Sequence, residues 1–266
     1  MTTTMIAAYL NDLLHQVGKI IVGAHKDAEN HVENKSGSAN FVTVYDVAVQ
    51  EHLIRRLKAF LPDAVFVAEE KDNDAAALMA EHCFVIDPID GTTNFIHDYR
   101  MSCISIAMVT RGETVLGMVY DPYRGELYSA EKGKGAFLNG TPIHASERPA
   151  SLAVAAFGTS PYYKETLADI TFAMAKQMFL SMADIRRAGS AALDLAHLAS
   201  GRVDAFFEMI LSPWDFAAGA LLVTEAGGVL TQSDGSPVDL AAPCSVFAGN
   251  VNTHAALLAL YDKVKQ

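Results

Sequence analysis

The chain has 266 residues, 51% hydrophobic and 19% charged, which is a globular composition long enough to bury a substantial core and excludes a disordered chain. Its 31 acids against 20 bases leave a formal charge of -11, which argues against a nucleic-acid-binding surface and against docking on anionic lipid. Cys83, Cys103 and Cys244 are scattered without CxxC spacing, which excludes a zinc site built on cysteine pairs and points to a reducing compartment.

Apolar residues Ile6, Leu10, Leu13, Leu14, Val17, Ile20 and Ile21 recur at helical spacing and predict a first helix over 4–26. The polar stretch 34–40 reads as a loop. A second helix is expected from Thr43–Asp46 to Pro62, and a strand over 64–68 delivers Glu69 and Glu70 at its end. Strand signals follow at 83–86, 103–110, 114–120 and 126–130, joined by turn residues, so the middle of the chain predicts an antiparallel meander. Gly133-Lys134-Gly135 reads as a hairpin turn, because no helix follows it.

Beyond about residue 150 strands and helices alternate. Strands are expected at 154–157 and 203–208, with helices at 163–178, 190–200, 213–226 and 253–263. The predicted fold is a mixed α/β (α+β) protein of two layered subdomains: an antiparallel-sheet unit over 1–148 and a mixed-sheet unit over 149–266. No window approaches about 18 uninterrupted apolar residues, and the N-terminus lacks a basic region followed by an apolar run. A soluble cytoplasmic protein with no membrane partner is expected.

Carboxylates stand at the ends of several predicted elements: Asp46, Glu69-Glu70, Asp87/Asp90 and Asp215. The run Phe84–Ile86 ends in Asp87-Pro-Ile-Asp90, followed by Gly91-Thr92-Thr93, a small turn whose N–H groups can approach an anion. Two carboxylates about 4 Å apart repel by about 4 kcal/mol at an effective dielectric near 20, so a cation between them converts repulsion into binding. Oxygen donors suit Mg²⁺ or Mn²⁺, and no histidine or cysteine spacing suggests a softer metal. Structural roles compete with this reading: Asp46 also fits a first-turn helix acid, and Ser212-Pro213-Trp214-Asp215 also fits a capping box. Gly189-Ser190 reads as a helix start whose N–H groups could face a ligand, and His97 could lie near the site.

Taken together, Glu69-Glu70, Asp87-Pro-Ile-Asp-Gly-Thr-Thr-Asn-Phe95 and Trp214-Asp215-Phe-Ala-Ala-Gly219 resemble the inositol monophosphatase family of Mg²⁺-dependent, lithium-sensitive phosphatases. Lys35, Asp121-Pro122, Glu131–Ala136, Ile185–Ser190 and Arg202–Glu208 extend the resemblance over nearly the whole chain. The resemblance implies an αβαβα layered sandwich and a common homodimer. It implies that Glu69, Asp87 and the Ile89 carbonyl hold one Mg²⁺, that Asp87, Asp90 and Asp215 hold a second, and that a third, weaker ion lies near Glu69. It further implies that Gly91 and Thr92 donate N–H groups to the phosphate and that Glu70, or Thr92 with Asp46, orients the attacking water. Glu208 is expected to accept hydrogen bonds from substrate hydroxyls, and Thr93-Asn94 is the form associated with inositol phosphates. The expected reaction is hydrolysis of inositol monophosphate by a metal-activated water. The alternatives are a sugar-phosphate or fructose-1,6-bisphosphate phosphatase on the same site, and a non-enzymatic regulatory binding protein.

Overall fold

The computed structural model describes residues 1–28, 32–36 and 40–265. The amphipathic N-terminal segment forms helix α1 (Thr3–Ala28), whose buried side is Ile6, Leu10, Leu13, Leu14, Val17 and Ile21. The stretch expected to be a loop carries strands β1 (Val32–Ser36) and β2 (Asn40–Thr43) instead, paired antiparallel. Its polar residues hide a two-stranded ribbon because the pairing, and not an apolar face, defines it. Residues 37–39 and the side chain of Lys35 lie outside the described part.

Helix α2 (Val44–Phe60) follows, then β3 (Val65–Ala68), β4 (Cys83–Asp90) and the one-turn helix α3 (Thr92–Ile96). Strand β4 does not stop at Ile86. It runs on through Asp90, with its register against the next strand shifted between Asp87 and Asp90, so both acids are strand residues. The meander continues as β5 (Cys103–Thr110), β6 (Glu113–Asp121), β7 (Glu126–Glu131), β8 (Ala136–Leu138) and β9 (Thr141–Ile143). These strands form a seven-stranded sheet in sequence order, antiparallel except that β3 runs parallel to β4. Gly133-Lys134-Gly135 sits in the turn between β7 and β8.

The second sheet is built from β10 (Val154–Phe157), β11 (Asp184–Arg186), β12 (Ala205–Leu211), β13 (Val229–Thr231) and β14 (Cys244–Gly249) in the order β11-β10-β12-β14-β13. Helices α4 (Lys164–Ser181), α5 (Ala191–Ala199), α6 (Pro213–Glu225) and α7 (Val251–Val264) accompany it.

Three apolar clusters order the layers. The first packs α1 and α2 onto one face of the large sheet through residues such as Leu10, Leu53, Phe84, Ile106 and Met118. The second holds α5 and α6 between the opposite face and the smaller sheet, with Val85, Val119, Leu195, Phe216, Phe206 and Val246 in contact. The third seals the outer face of the smaller sheet under α4 and α7 through Phe157, Met178, Phe207, Phe247 and Leu257. The order is therefore αβαβα, and alternate residues of one strand serve different cores, as the period of two requires. Among the described residues no helix is long and apolar enough to cross a membrane.

Candidate active site

The carboxyl end of β4 opens onto a cleft of about 590 Å³ between the two sheets, lined among others by Glu69, Asp87, Ile89, Asp90, Gly91, Thr92, Glu208 and Asp215. Gly91 makes the bend into α3 with φ 90, and a Cβ there would lie 2.8 Å from the Met101 carbonyl oxygen, so glycine is required on both grounds. Asp87 is 2% exposed, and one of its oxygens accepts the Ile89 N–H at 3.0 Å. Burial raises its carboxyl well above the usual range, and the charges of Glu69, Asp90, Asp215 and Asp46 raise it further.

Asp90 is held from across the inter-sheet boundary. Its Oδ2 accepts the Ser190 hydroxyl at 2.6 Å and the Ala192 N–H at 2.8 Å, at the start of α5. The N-terminus of α5 therefore serves a protein carboxylate, and the N–H of Ala192 is not free for a ligand. Burial still raises the Asp90 pKa, while these bonds pull it down.

Asp215 stands in the first turn of α6, where its Oδ2 accepts the Ser212 N–H at 2.7 Å. It is thus a capping acid and a cleft acid at once, with its pKa well raised by burial and then by Glu69 and Asp90. Asp46 repeats the pattern at the start of α2, its Oδ2 accepting the Thr43 N–H at 2.7 Å. Asp46 does not line the cleft. It lies behind Thr92, whose hydroxyl is 3.2 Å from both Asp46 Oδ1 and the Ile89 carbonyl. Burial lifts Asp46 to about 6. Glu70 also stands back from the cleft, half-buried, with its N–H on Gln50 Oε1 at 2.9 Å and its charge near enough to raise Asp46. His97 is exposed at the end of α3 and takes no part.

The far wall carries Glu208, which the family resemblance implied as a substrate-binding residue and which lines the cleft from β12. It is pushed to about 7, chiefly by burial. Beside it Asp194 of α5 is 3% exposed and raised well above its ordinary value by burial and by Glu208. Asp194 sits at an ordinary helical position and gave no signal of its own. Arg187 is the one basic side chain lining the cleft among the described residues. Tyr162 also lines it; the residue is 55% exposed, yet desolvation on its cleft side and the charges of Glu69, Asp215, Asp87 and Asp90 keep its phenol protonated.

Among the described residues no three Cys, His, Asp or Glu side chains stand in a ready coordination shell. The fit to a cation therefore rests on donor type and charge. The charges of Glu69 and Asp90 raise the pKa of both Asp87 and Asp215 across one cleft, and all the donors are oxygen, which suits a hard divalent ion.

Residues 3–266 match the family model described as the inositol monophosphatase family. Nus factor SuhB of Escherichia coli K12 is 38% identical over 92% of this chain and 91% of its own length. Human inositol monophosphatase 1 is 35% identical over 91% of this chain and 88% of its own. Among solved structures, a Thermotoga maritima IMPase superposes with a TM-score of 0.87 at 33% identity, covering 97% of each chain. Layer order and whole-chain likeness define a phosphoric monoester hydrolase. The chain belongs to the inositol monophosphatase family.

Proposed function

We propose that this phosphomonoesterase hydrolyses the monophosphate of a polyol of the inositol type, using Mg²⁺ held by Glu69, Asp87, the Ile89 carbonyl, Asp90 and Asp215. The observation that carries the reading is the set of acids gathered around Asp87, all oxygen donors, beside the Gly91–Thr92 bend. Divalent ions bound there would neutralise charge on the phosphoryl oxygens and the leaving alkoxide and supply hydroxide near neutral pH. The chain's own residues do the rest. The Gly91 and Thr92 N–H groups take phosphoryl oxygens. The Thr92 hydroxyl, oriented by Asp46 at 3.2 Å, holds the attacking water, and Asp46 near pH 6 is poised to share its proton. Glu70 supports Asp46 by charge, and Glu208 accepts from substrate hydroxyls. The segments 1–148 and 149–266 act as two subdomains meeting at the cleft, in a cytoplasmic homodimer.

A phosphate-release screen over inositol, sugar and nucleotide monophosphates and fructose bisphosphate, with and without Mg²⁺ and with Li⁺ added, tests this. Mg²⁺-dependent, Li⁺-inhibited turnover is expected to be highest on inositol monophosphate. Asp87→Asn is expected to lose nearly all turnover while its metal-free thermal midpoint stays level or rises, because one repelling acid is gone. No Mg²⁺-dependent release from any ester, or full activity in Asp87→Asn, refutes the proposal. One observation favours a second reading: the 38% identical E. coli relative is named a Nus factor, not a phosphatase. A regulatory binding role shared with it would show as binding without turnover.

A further inference from the structure

The cleft has a wall that the carboxylate chemistry does not use. After β10 the chain crosses the cleft's mouth, and Gly158, Ser160, Pro161 and Tyr162 all line it. The segment is anchored at Ser160, which is buried and has a left-handed backbone, φ 42, a conformation an L residue holds only when its surroundings impose it. Here they do. The Ser160 N–H donates to Glu208 Oε1 at 2.7 Å, and the Ser160 hydroxyl donates to the Ile210 carbonyl at 3.2 Å while accepting the Ile210 N–H at 3.1 Å. Gly158 is pressed against the same carboxylate: a Cβ there would lie 1.8 Å from Glu208 Oε2. Arg187 fixes the residue between them, donating to the Thr159 hydroxyl at 2.9 Å. Pro161 then opens a tight turn over Pro161–Tyr163.

This anchoring sets the position of Tyr162. Three hydroxyls along the wall and floor are engaged: Ser160 with Ile210, Ser190 with Asp90, and Thr92 with Asp46 and Ile89. The Tyr162 hydroxyl makes no hydrogen bond among the described residues, although it lines the same cleft as Glu69, Asp87, Asp90 and Asp215. A neutral O–H donor in a cleft of acceptors, with no protein partner among the described residues, suits an oxygen of the bound ester.

We propose that Tyr162 is a specificity-determining residue that donates its hydroxyl to an oxygen of the alcohol half of the phosphate ester, held in place by the Glu208–Ser160 bond. The inference rests on the phosphate-ester reading of the cleft. Glu208 thereby has a second task besides meeting substrate hydroxyls, because it also fixes the segment that carries Tyr162.

The test compares wild type, Tyr162→Phe and Tyr162→Ala on inositol 1-phosphate and on phenyl phosphate, whose leaving group has no neighbouring hydroxyl. Equilibrium binding of inositol 1-phosphate is measured alongside. Tyr162 is exposed at its outer side, so neither substitution opens a core. In Tyr162→Phe the ratio of kcat/KM for inositol phosphate to that for phenyl phosphate is expected to fall about 3- to 10-fold, the equivalent of one neutral hydrogen bond, with the change in KM and not in kcat. An active wild type whose ratio is unchanged in both variants overturns the role of Tyr162 and leaves the phosphatase reading standing. A wild type that binds inositol phosphate without turning it over is judged by the same fold-change in affinity. A wild type that neither binds nor hydrolyses either ester overturns both.

Discussion

The side chain of Ser190 shows how closely the cleft is tied to the fold. Its oxygen donates to Asp90 and accepts the Leu193 N–H, so one atom caps α5 and orients a carboxylate on another sheet. Ser190→Ala should cost about 1 kcal/mol as a lost N-cap. It should also raise the Mg²⁺ concentration needed for half-maximal activity, because Asp90 loses a donor that favours its charged form. Thermal unfolding checks the first effect and an Mg²⁺ titration of turnover checks the second. An unchanged Mg²⁺ dependence would separate the two jobs of the serine. Asp87 and Asp90 stood out in the sequence because a turn does not account for two acids closing one apolar run, whereas Asp215 also fits a capping box and only the family resemblance set it beside them. Asp194 and Tyr162 were not, because a helix acid and a loop tyrosine look unremarkable until the chain is folded around them.

At the scale of elements, three helices besides the one-turn α3 begin at the cleft or just behind it. The starts of α2 and α6 each carry an acid in their first turn, Asp46 and Asp215, and the start of α5 receives Asp90. Each arrangement sets carboxylate charge against the positive end of a helix dipole, which offsets part of the mutual repulsion. Thr43→Ala tests the coupling at α2. It removes the hydroxyl that accepts the Tyr45 N–H at 3.1 Å, so stability should fall by about 1 kcal/mol. Asp46 keeps the Thr43 N–H but loses the Thr43 hydroxyl that donates to its Oδ2 at 2.5 Å, which loosens its hold behind Thr92, so kcat should fall while KM changes little, as steady-state kinetics will read. The long helices and the meander were legible because their periodicity is local. Strands β8, β9, β11 and β13 are three residues each, too short to show a period, and β11, β13 and β14 pair only with strands well separated from them in sequence.

Across the whole molecule, the acids give stability a definite pH dependence. Glu208 titrates near 7 and Asp46 near 6 in the folded chain, above their ordinary values of 4.5 and 3.8. The folded state therefore binds more protons than the unfolded one as pH falls through these values, and the metal-free protein gains stability on acidification. His197 works in the opposite direction. Burial lowers it from 6.5 to about 4, so it costs stability below 6.5. The thermal midpoint of metal-free protein should accordingly rise from pH 7.5 to 6.5 and go on rising below that, because the raised acids outnumber the lowered histidine. A midpoint that falls over the first interval would contradict the assignment of the raised acids. The five-layer order was expected from the family resemblance and stands. That one cleft draws Asp87 from one sheet and Glu208 from the other was implied by the resemblance alone, since no spacing in the chain sets the two side by side.

The double service of Asp46, Asp90 and Asp215 bears on how relatives are compared. An acid that caps or braces a helix is retained by selection for folding even after turnover has lapsed, so a lineage that takes up another duty keeps its motifs for architectural reasons. Intact signature acids in a paralogue therefore testify to a conserved scaffold as much as to a working enzyme. Tyr162 and Thr92, whose side chains brace no helix in this way, are the more telling positions at which to look for a lapse.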